Sequence, residues 1–139
     1  AIKTPVCLDE SIHSAEDARR ALSINACKII NIKPGRVGGI LESKKIHDIC
    51  QKNNIGVWCG GMLETGIGRA FNIAVASLPN YIYPSDMSPV NFFYEDDLVD
   101  DSFSVDKEGY VQVPTTPGLG FTVNERKIEK YTTSKIVLE

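Results

Sequence analysis

Lys33 and Asp9 are the two side chains whose types and places point to shared chemistry. Lys33 follows Ile29-Ile30-Asn31-Ile32, a short β-branched run of the kind expected in a strand covered on both faces. Pro34 and Gly35 come directly after it, and a proline cannot continue a central ladder. Lys33 is therefore expected at the carboxyl end of a buried strand, where α/β folds keep their chemistry. Partial burial of an amine favours its neutral form, and a neutral amine is a base. The plainer alternative is a lysine that lays its stem along the surface and keeps its head in water.

Asp9 closes an earlier apparent strand, Pro5-Val6-Cys7-Leu8. Asp9 and Glu10 are adjacent on it, so their side chains point to opposite faces and cannot form the facing carboxylate pair of a glycosidase. If Val6 and Leu8 face the helices, Cys7 and Asp9 point the other way, into the site. An inward carboxylate at a strand end is a good ligand for a hard divalent cation. Its structural alternative is a charge that stabilises the start of the following helix. A metal-bound substrate carboxylate beside a neutral amine is what proton abstraction next to a carboxylate requires, because the dianion formed is too unstable without the cation.

Gly60-Gly61 ends a third strand, Ile55 to Cys59, and glycines there let backbone N–H groups approach an anion. That feature keeps a phosphate-binding barrel open as a competing enzyme class. Gly66-Ile67-Gly68 is no dinucleotide fingerprint, because Phe71 stands where the third glycine belongs. Arg36, three residues after Lys33, would as a fixed cation sharpen Lys33 as a base, although strand-end arginines more often serve packing. Arg69 is expected to be structural, in an ion pair to a neighbouring helix. His13 and His47 have no partners at ligand spacing, and Trp58 is expected in the core or as a pocket wall.

The elements that must position these residues alternate along the chain. Ser14 caps a helix with Asp17 three residues on, and Ala15, Ala18 and Leu22 mark its buried face. After the Lys33 strand, a second helix begins near Gly39 with Ile46, Ile49 and Cys50 at helical spacing. A third helix, from about Thr65 to Leu78, leads to a fourth strand at Tyr81-Ile82-Tyr83. This β-α-β-α-β-α-β order implies right-handed parallel crossovers. From Pro84 the character changes: an acidic loop at Glu95 to Asp101, a hairpin around Asp106 to Gly109, and a short final helix capped by Asn124. This tail reads as a strap across the outside of the α/β unit.

Composition bounds the rest. The chain has 139 residues, 42% of them hydrophobic, enough for one modest domain with a core. A formal net charge of -3 without a basic block argues against nucleic acid, and no apolar run approaches a membrane span. Four cysteines without zinc-ligand spacing fit a reduced, cytoplasmic protein, with Cys7, Cys27 and Cys59 in or beside strands as small core residues.

Leu-Asp-Glu-Ser at 8–11, Asn-Ile-Lys-Pro-Gly-Arg-Val-Gly-Gly at 31–39 and Gly-Gly-Met-Leu-Glu-Thr-Gly-Ile-Gly-Arg-Ala at 60–70 closely resemble the enolase superfamily. Within it they resemble the o-succinylbenzoate synthase and N-succinylamino acid racemase family. Enolase-type sites use a Lys or His base with Mg²⁺. The resemblance implies that Asp9 is the last of three Mg²⁺ carboxylates, on the fifth barrel strand, and Lys33 the acid/base on the sixth. It implies that Gly60, Gly61 and Met62 approach the substrate's side chain, with Glu10 and Arg36 supporting the site. The implied fold is the C-terminal part of a modified TIM-type (β/α)7β barrel. Residues 1–90 would form strands five to eight, and 91–139 a C-terminal extension that straps back over the barrel and capping domain.

In the family, a lysine pair, two more metal carboxylates and a capping domain precede the position of the first residue here. The chain is accordingly expected to need the N-terminal half of the barrel, or another copy in a homo-oligomer, to act on a small carboxylate. The implied reactions are dehydration to o-succinylbenzoate in menaquinone synthesis and racemisation of N-acylamino acids. A truncated, non-catalytic piece with a structural role is the alternative.

Overall fold

A computed structural model describes residues 2–101 and 103–138. Three short parallel strands, β1 (Cys7–Leu8), β2 (Ile29–Ile32) and β3 (Gly56–Cys59), form one sheet in the order β1-β2-β3. The register pairs Leu8 with Ile30, Ile30 with Val57 and Ile32 with Cys59. The expected fourth strand is reduced to a single parallel bridge between Val57 and Tyr81. The chain leaves the ladder there as Pro84, which has no N–H to donate, approaches.

The helices follow the expected alternation. In α1 (Ala15–Ser23), Ser14 Oγ accepts from Asp17 N at 3.1 Å, and Asp17 Oδ2 accepts from His13 N at 3.1 Å. Ser14→Ala removes that cap and is expected to cost about 1 kcal/mol of stability. Thermal unfolding checks this, and an unchanged midpoint would show that the cap contributes nothing.

One element was not anticipated. The residues after Lys33 form a single helical turn, α2 (Pro34–Val37), with Pro34 at its first position. Proline is suited to that place because its fixed φ is helical and its missing N–H would have lacked a partner anyway. Gly38 and Gly39, at φ of 95° and 101°, end the turn and start α3 (Ile40–Lys52). Only glycine adopts such angles without strain.

Even-numbered β2 residues, Ile30 and Ile32, face the helices with Val57 and Cys59 of β3. Ile30, Ile32 and Val57 join Ile12, Ala15, Ala18, Ile46 and Cys50 in the core cluster between sheet and helices. The odd-numbered set, Asn31 and Lys33, lies on the other face. α4 (Gly66–Ala76) completes the helical layer.

The acidic loop is exposed at Glu95, Asp96, Asp100 and Asp101, as expected of a solvated connection, and two of its carboxylates also fasten it. Asp97 Oδ1 accepts from Gly66 N at 2.8 Å, at the start of α4. Asp96 pairs with Lys127 Nζ at 2.7 Å and accepts from Tyr131 Oη at 2.9 Å, both on α5 (Glu125–Tyr131). Those two hydrogen bonds hold its carboxyl down at about 2. Asn124 caps α5 as expected, accepting from Lys127 N at 3.0 Å. The hairpin is present as a Val105–Val111 antiparallel bridge.

Candidate active site

Asp9 and Lys33 meet. They sit just beyond the carboxyl ends of the adjacent strands β1 and β2, and Lys33 Nζ lies 3.1 Å from Asp9 Oδ2. Parallel pairing of Leu8 with Ile30 sets Asp9 beside Asn31, two residues before Lys33, and the long lysine side chain spans that offset. The inward alternation holds as well: Leu8 packs against the core, while Cys7 and Asp9 take the opposite face. Cys7 is exposed rather than a core residue, and Trp58 Nε1 donates to its Sγ at 3.3 Å. Trp58 thus belongs to the inward face, as a wall.

Arg36 proves to be part of the same cluster. From α2, its guanidinium donates to Asp9 Oδ1 through one nitrogen, to Ile12 O at 2.9 Å through Nε, and to Asn31 O at 2.7 Å through the other nitrogen. It therefore packs and pairs at once, fastening the ends of β1 and β2 with one planar fork. Burial works against ionisation of Asp9, but hydrogen bonds from Arg36 and Lys33 more than offset it. The net effect holds the Asp9 carboxyl below its ordinary value. Lys33 enters an ion pair with Asp9. Glu10, in contrast, is exposed in the turn after β1 and is not drawn into the cluster.

The Gly60–Met62 segment ends beside them. Gly60 N donates to Asn31 Oδ1 at 2.7 Å, and a Cβ on Gly60 would stand 2.8 Å from Lys33 Cε. The absent side chain is therefore what admits the lysine stem. At Gly61 the Arg69 guanidinium occupies the space of a Cβ, with Asp86 O 3.0 Å away on another side. Met62 is about half exposed, its N–H donating to Glu64 Oε1 at 2.7 Å and Oε2 at 2.8 Å. The buried Arg69 pairs with Glu64 Oε2 at 3.2 Å and donates to Met62 O at 3.0 Å. Its partner is the loop before its own helix, not a neighbouring helix as expected.

Two residues of this site were missed in the sequence. Asn31 is fully buried in the middle of β2. The available signal was parity, since it lies two residues before Lys33 and so on the same face. Nothing in the spacing of Glu64 announces that it braces the Met62 backbone. His47, assigned no role, is buried and stacks on Tyr81 with ring centroids 5.7 Å apart.

Asp9 suits one place in a Mg²⁺ site: a hard, ionised oxygen donor at a strand end. Among the described residues no group of three or more His, Cys, Asp or Glu side chains is placed to hold a metal. The Gly60 N–H, already given to Asn31, is not free for a phosphate. No helix of the described residues is long and apolar enough to cross a membrane.

The chain is 52% identical over 132 residues to an o-succinylbenzoate synthase of Bacillus subtilis (strain 168), covering 95% of this chain and 35% of that protein. It is 50% identical over 135 residues to an N-succinylamino acid racemase of Amycolatopsis sp, covering 97% of this chain and 36% of the relative. Among solved structures, the dipeptide epimerase from Cytophaga hutchinsonii complexed with Mg and the dipeptide D-Ala-L-Val is 27% identical, with a TM-score of 0.81. That match covers 92% of this chain and 34% of the other. The chain spans about a third of the length of the curated relatives it matches. Its parallel sheet and outer helices are the C-terminal barrel part of an enolase-like fold. The family described as "Enolase C-terminal domain-like" matches residues 1–127, and this chain belongs to it.

Proposed function

We propose that this chain supplies the acid/base lysine and one metal carboxylate of an enzyme that removes the proton next to a substrate carboxylate. The observation that carries the reading is the Lys33–Asp9 pair, 3.1 Å apart at the ends of adjacent parallel strands. In this reading Lys33 Nζ, as the neutral amine left when its ion pair with Asp9 opens, takes the α-proton and becomes an ammonium. In a dehydration, the electron pair left on carbon expels the β-hydroxyl, which takes the proton back from the Lys33 ammonium and leaves as water. In a racemisation, a proton returns to the opposite face of the same carbon. Both begin with one abstraction, so a single site serves o-succinylbenzoate formation and N-acylamino acid racemisation.

Asp9 would be one of the carboxylates holding Mg²⁺. When bound, that cation supplies charge neutralisation for the carboxylate whose α-proton is removed. Arg36 keeps Asp9 ionised and fixed, and Gly60, Gly61 and Met62 form the wall against the substrate's side chain. Residues 1–90 are read as barrel and 91–139 as an extension fastened through Asp96 and Asp97. The remaining ligands and the second lysine belong to barrel strands outside this chain, or to another copy.

The intact protein, supplied with Mg²⁺, is to be assayed for o-succinylbenzoate formation from the cyclohexadiene carboxylate and for racemisation of N-succinylamino acids. Turnover of at least one, abolished by a chelator and restored by Mg²⁺, is the expected result. Activity indifferent to the chelator, or on neither substrate, would overturn the reading.

A further inference from the structure

Asn31 is a buried polar residue beside Lys33 that the proposed chemistry leaves unexplained. It is wholly buried in the centre of β2, where a carboxamide is costly unless paired. Only half of it is paired: Oδ1 accepts from Gly60 N at 2.7 Å, while Nδ2 has no partner. An apolar side chain of similar size would avoid that orphan. The position nevertheless carries asparagine, so its single hydrogen bond must do something that packing cannot.

What it does is visible in its neighbours. Asn31 lies on the same face of β2 as Lys33, two residues earlier. A Cβ on Gly60 would sit 2.5 Å from Asn31 Oδ1, 2.6 Å from its Nδ2 and 2.8 Å from Lys33 Cε. Gly60, Asn31 and the end of the lysine stem therefore share one contact. The Oδ1 bond pulls the backbone beyond β3 against the carboxamide, and the lysine stem rests on the glycine so placed. The main-chain oxygen of Asn31 meanwhile accepts from Arg36 at 2.7 Å, and Arg36 holds Asp9. One residue thus ties the end of β3 by its side chain and the end of β1 through its carbonyl.

We infer that Asn31 is a positioning residue, whose side-chain bond to Gly60 sets the reach of the Lys33 amine. The inference rests on Lys33 acting as the acid/base. Without the bond, the Gly60 backbone is free to move off the carboxamide, and Lys33 loses the surface that fixes its last methylenes. A displacement of this kind slows proton transfer while leaving the substrate's other contacts in place. Asn31→Leu keeps the branched shape and removes the acceptor; Asn31→Ser, which adds no bulk, keeps a small polar group too short to reach Gly60.

In the intact protein both variants are expected to lower kcat roughly 10–100-fold, with KM and Mg²⁺ affinity within about twofold of wild type. Ser14→Ala, far from the site on α1, serves as the stability control. At a comparable drop in thermal midpoint it is expected to keep kcat. Wild-type kcat in either foldable Asn31 variant overturns the inference, and so does a kcat loss that Ser14→Ala shares. If Asn31→Leu does not fold, Asn31→Ser decides, and if neither folds the residue is structural and the inference fails. Failure of the Lys33 reading is separate: it would appear as proton exchange persisting in Lys33→Ala, whatever the Asn31 variants do.

Discussion

Asp9→Asn in the intact protein is expected to weaken Mg²⁺ binding by at least about tenfold. The substitution keeps the shape of the side chain and removes its charge. In the wild-type arrangement that charge is secured: burial opposes it, yet the hydrogen bonds of Arg36 and Lys33 hold the carboxyl below its ordinary value. An ionised oxygen is therefore present at neutral pH, and a carboxylate is what a hard dication selects. The asparagine also brings an NH₂ group where Arg36 and Lys33 present only donors, so one of those contacts becomes a clash of donors. Arg36, whose side chain is 9% exposed, keeps its bonds to Ile12 O and Asn31 O and should stay in place. Titration calorimetry reads the metal affinity directly, with thermal unfolding alongside to verify the fold. Unchanged Mg²⁺ affinity would return Asp9 to the role of a structural charge tying Arg36 and Lys33 to the end of β1.

The elements that carried the chemistry were legible because their signals are local. A β-branched run ended by Lys33 and Pro34 marks a buried strand and its end, and β2 lies there. The Ser14 cap and the alanine face of α1 follow from capping chemistry and helical spacing. The inward parity of Cys7 and Asp9 was likewise readable, since alternation along a strand is fixed by the pleat.

What stayed hidden was whatever depended on partners distant in sequence. The pairing of Lys33 with Asp9 rests on strand register across 24 residues, which no local pattern fixes. Asn31 read as one polar letter in an apolar run, although its partner is the backbone of Gly60. Glu95 to Asp101 read as a solvated acidic loop and is largely exposed, but the contacts of Asp96 with Lys127 and of Asp97 with the start of α4 had no local signal. Arg36 was weighed as either a packing residue or an electrostatic one. A guanidinium with five donors in a plane performs both functions. The fourth strand failed for a different reason, since Tyr81-Ile82-Tyr83 has the composition of a strand but only Tyr81 bridges to Val57.

The central claim is that Lys33 Nζ moves the α-proton, and Lys33→Ala tests it most directly. Alanine removes the amine while leaving the backbone at the end of β2, where Lys33 precedes the first turn of α2. Asp9 keeps its Arg36 partner, so the metal carboxylate should survive the change. Positioned acid/base groups typically contribute about 10²–10⁴-fold to rate, and no other amine of the cluster stands ready to replace this one. The measurement is exchange of the substrate α-proton with D₂O in the intact protein with saturating Mg²⁺, followed by loss of the α-proton resonance. It detects abstraction whether the reaction then proceeds to dehydration or to racemisation. The account predicts that exchange in Lys33→Ala falls by at least about 10²-fold, with Mg²⁺ affinity close to wild type. Exchange at the wild-type rate in a folded, Mg²⁺-binding Lys33→Ala protein would contradict it.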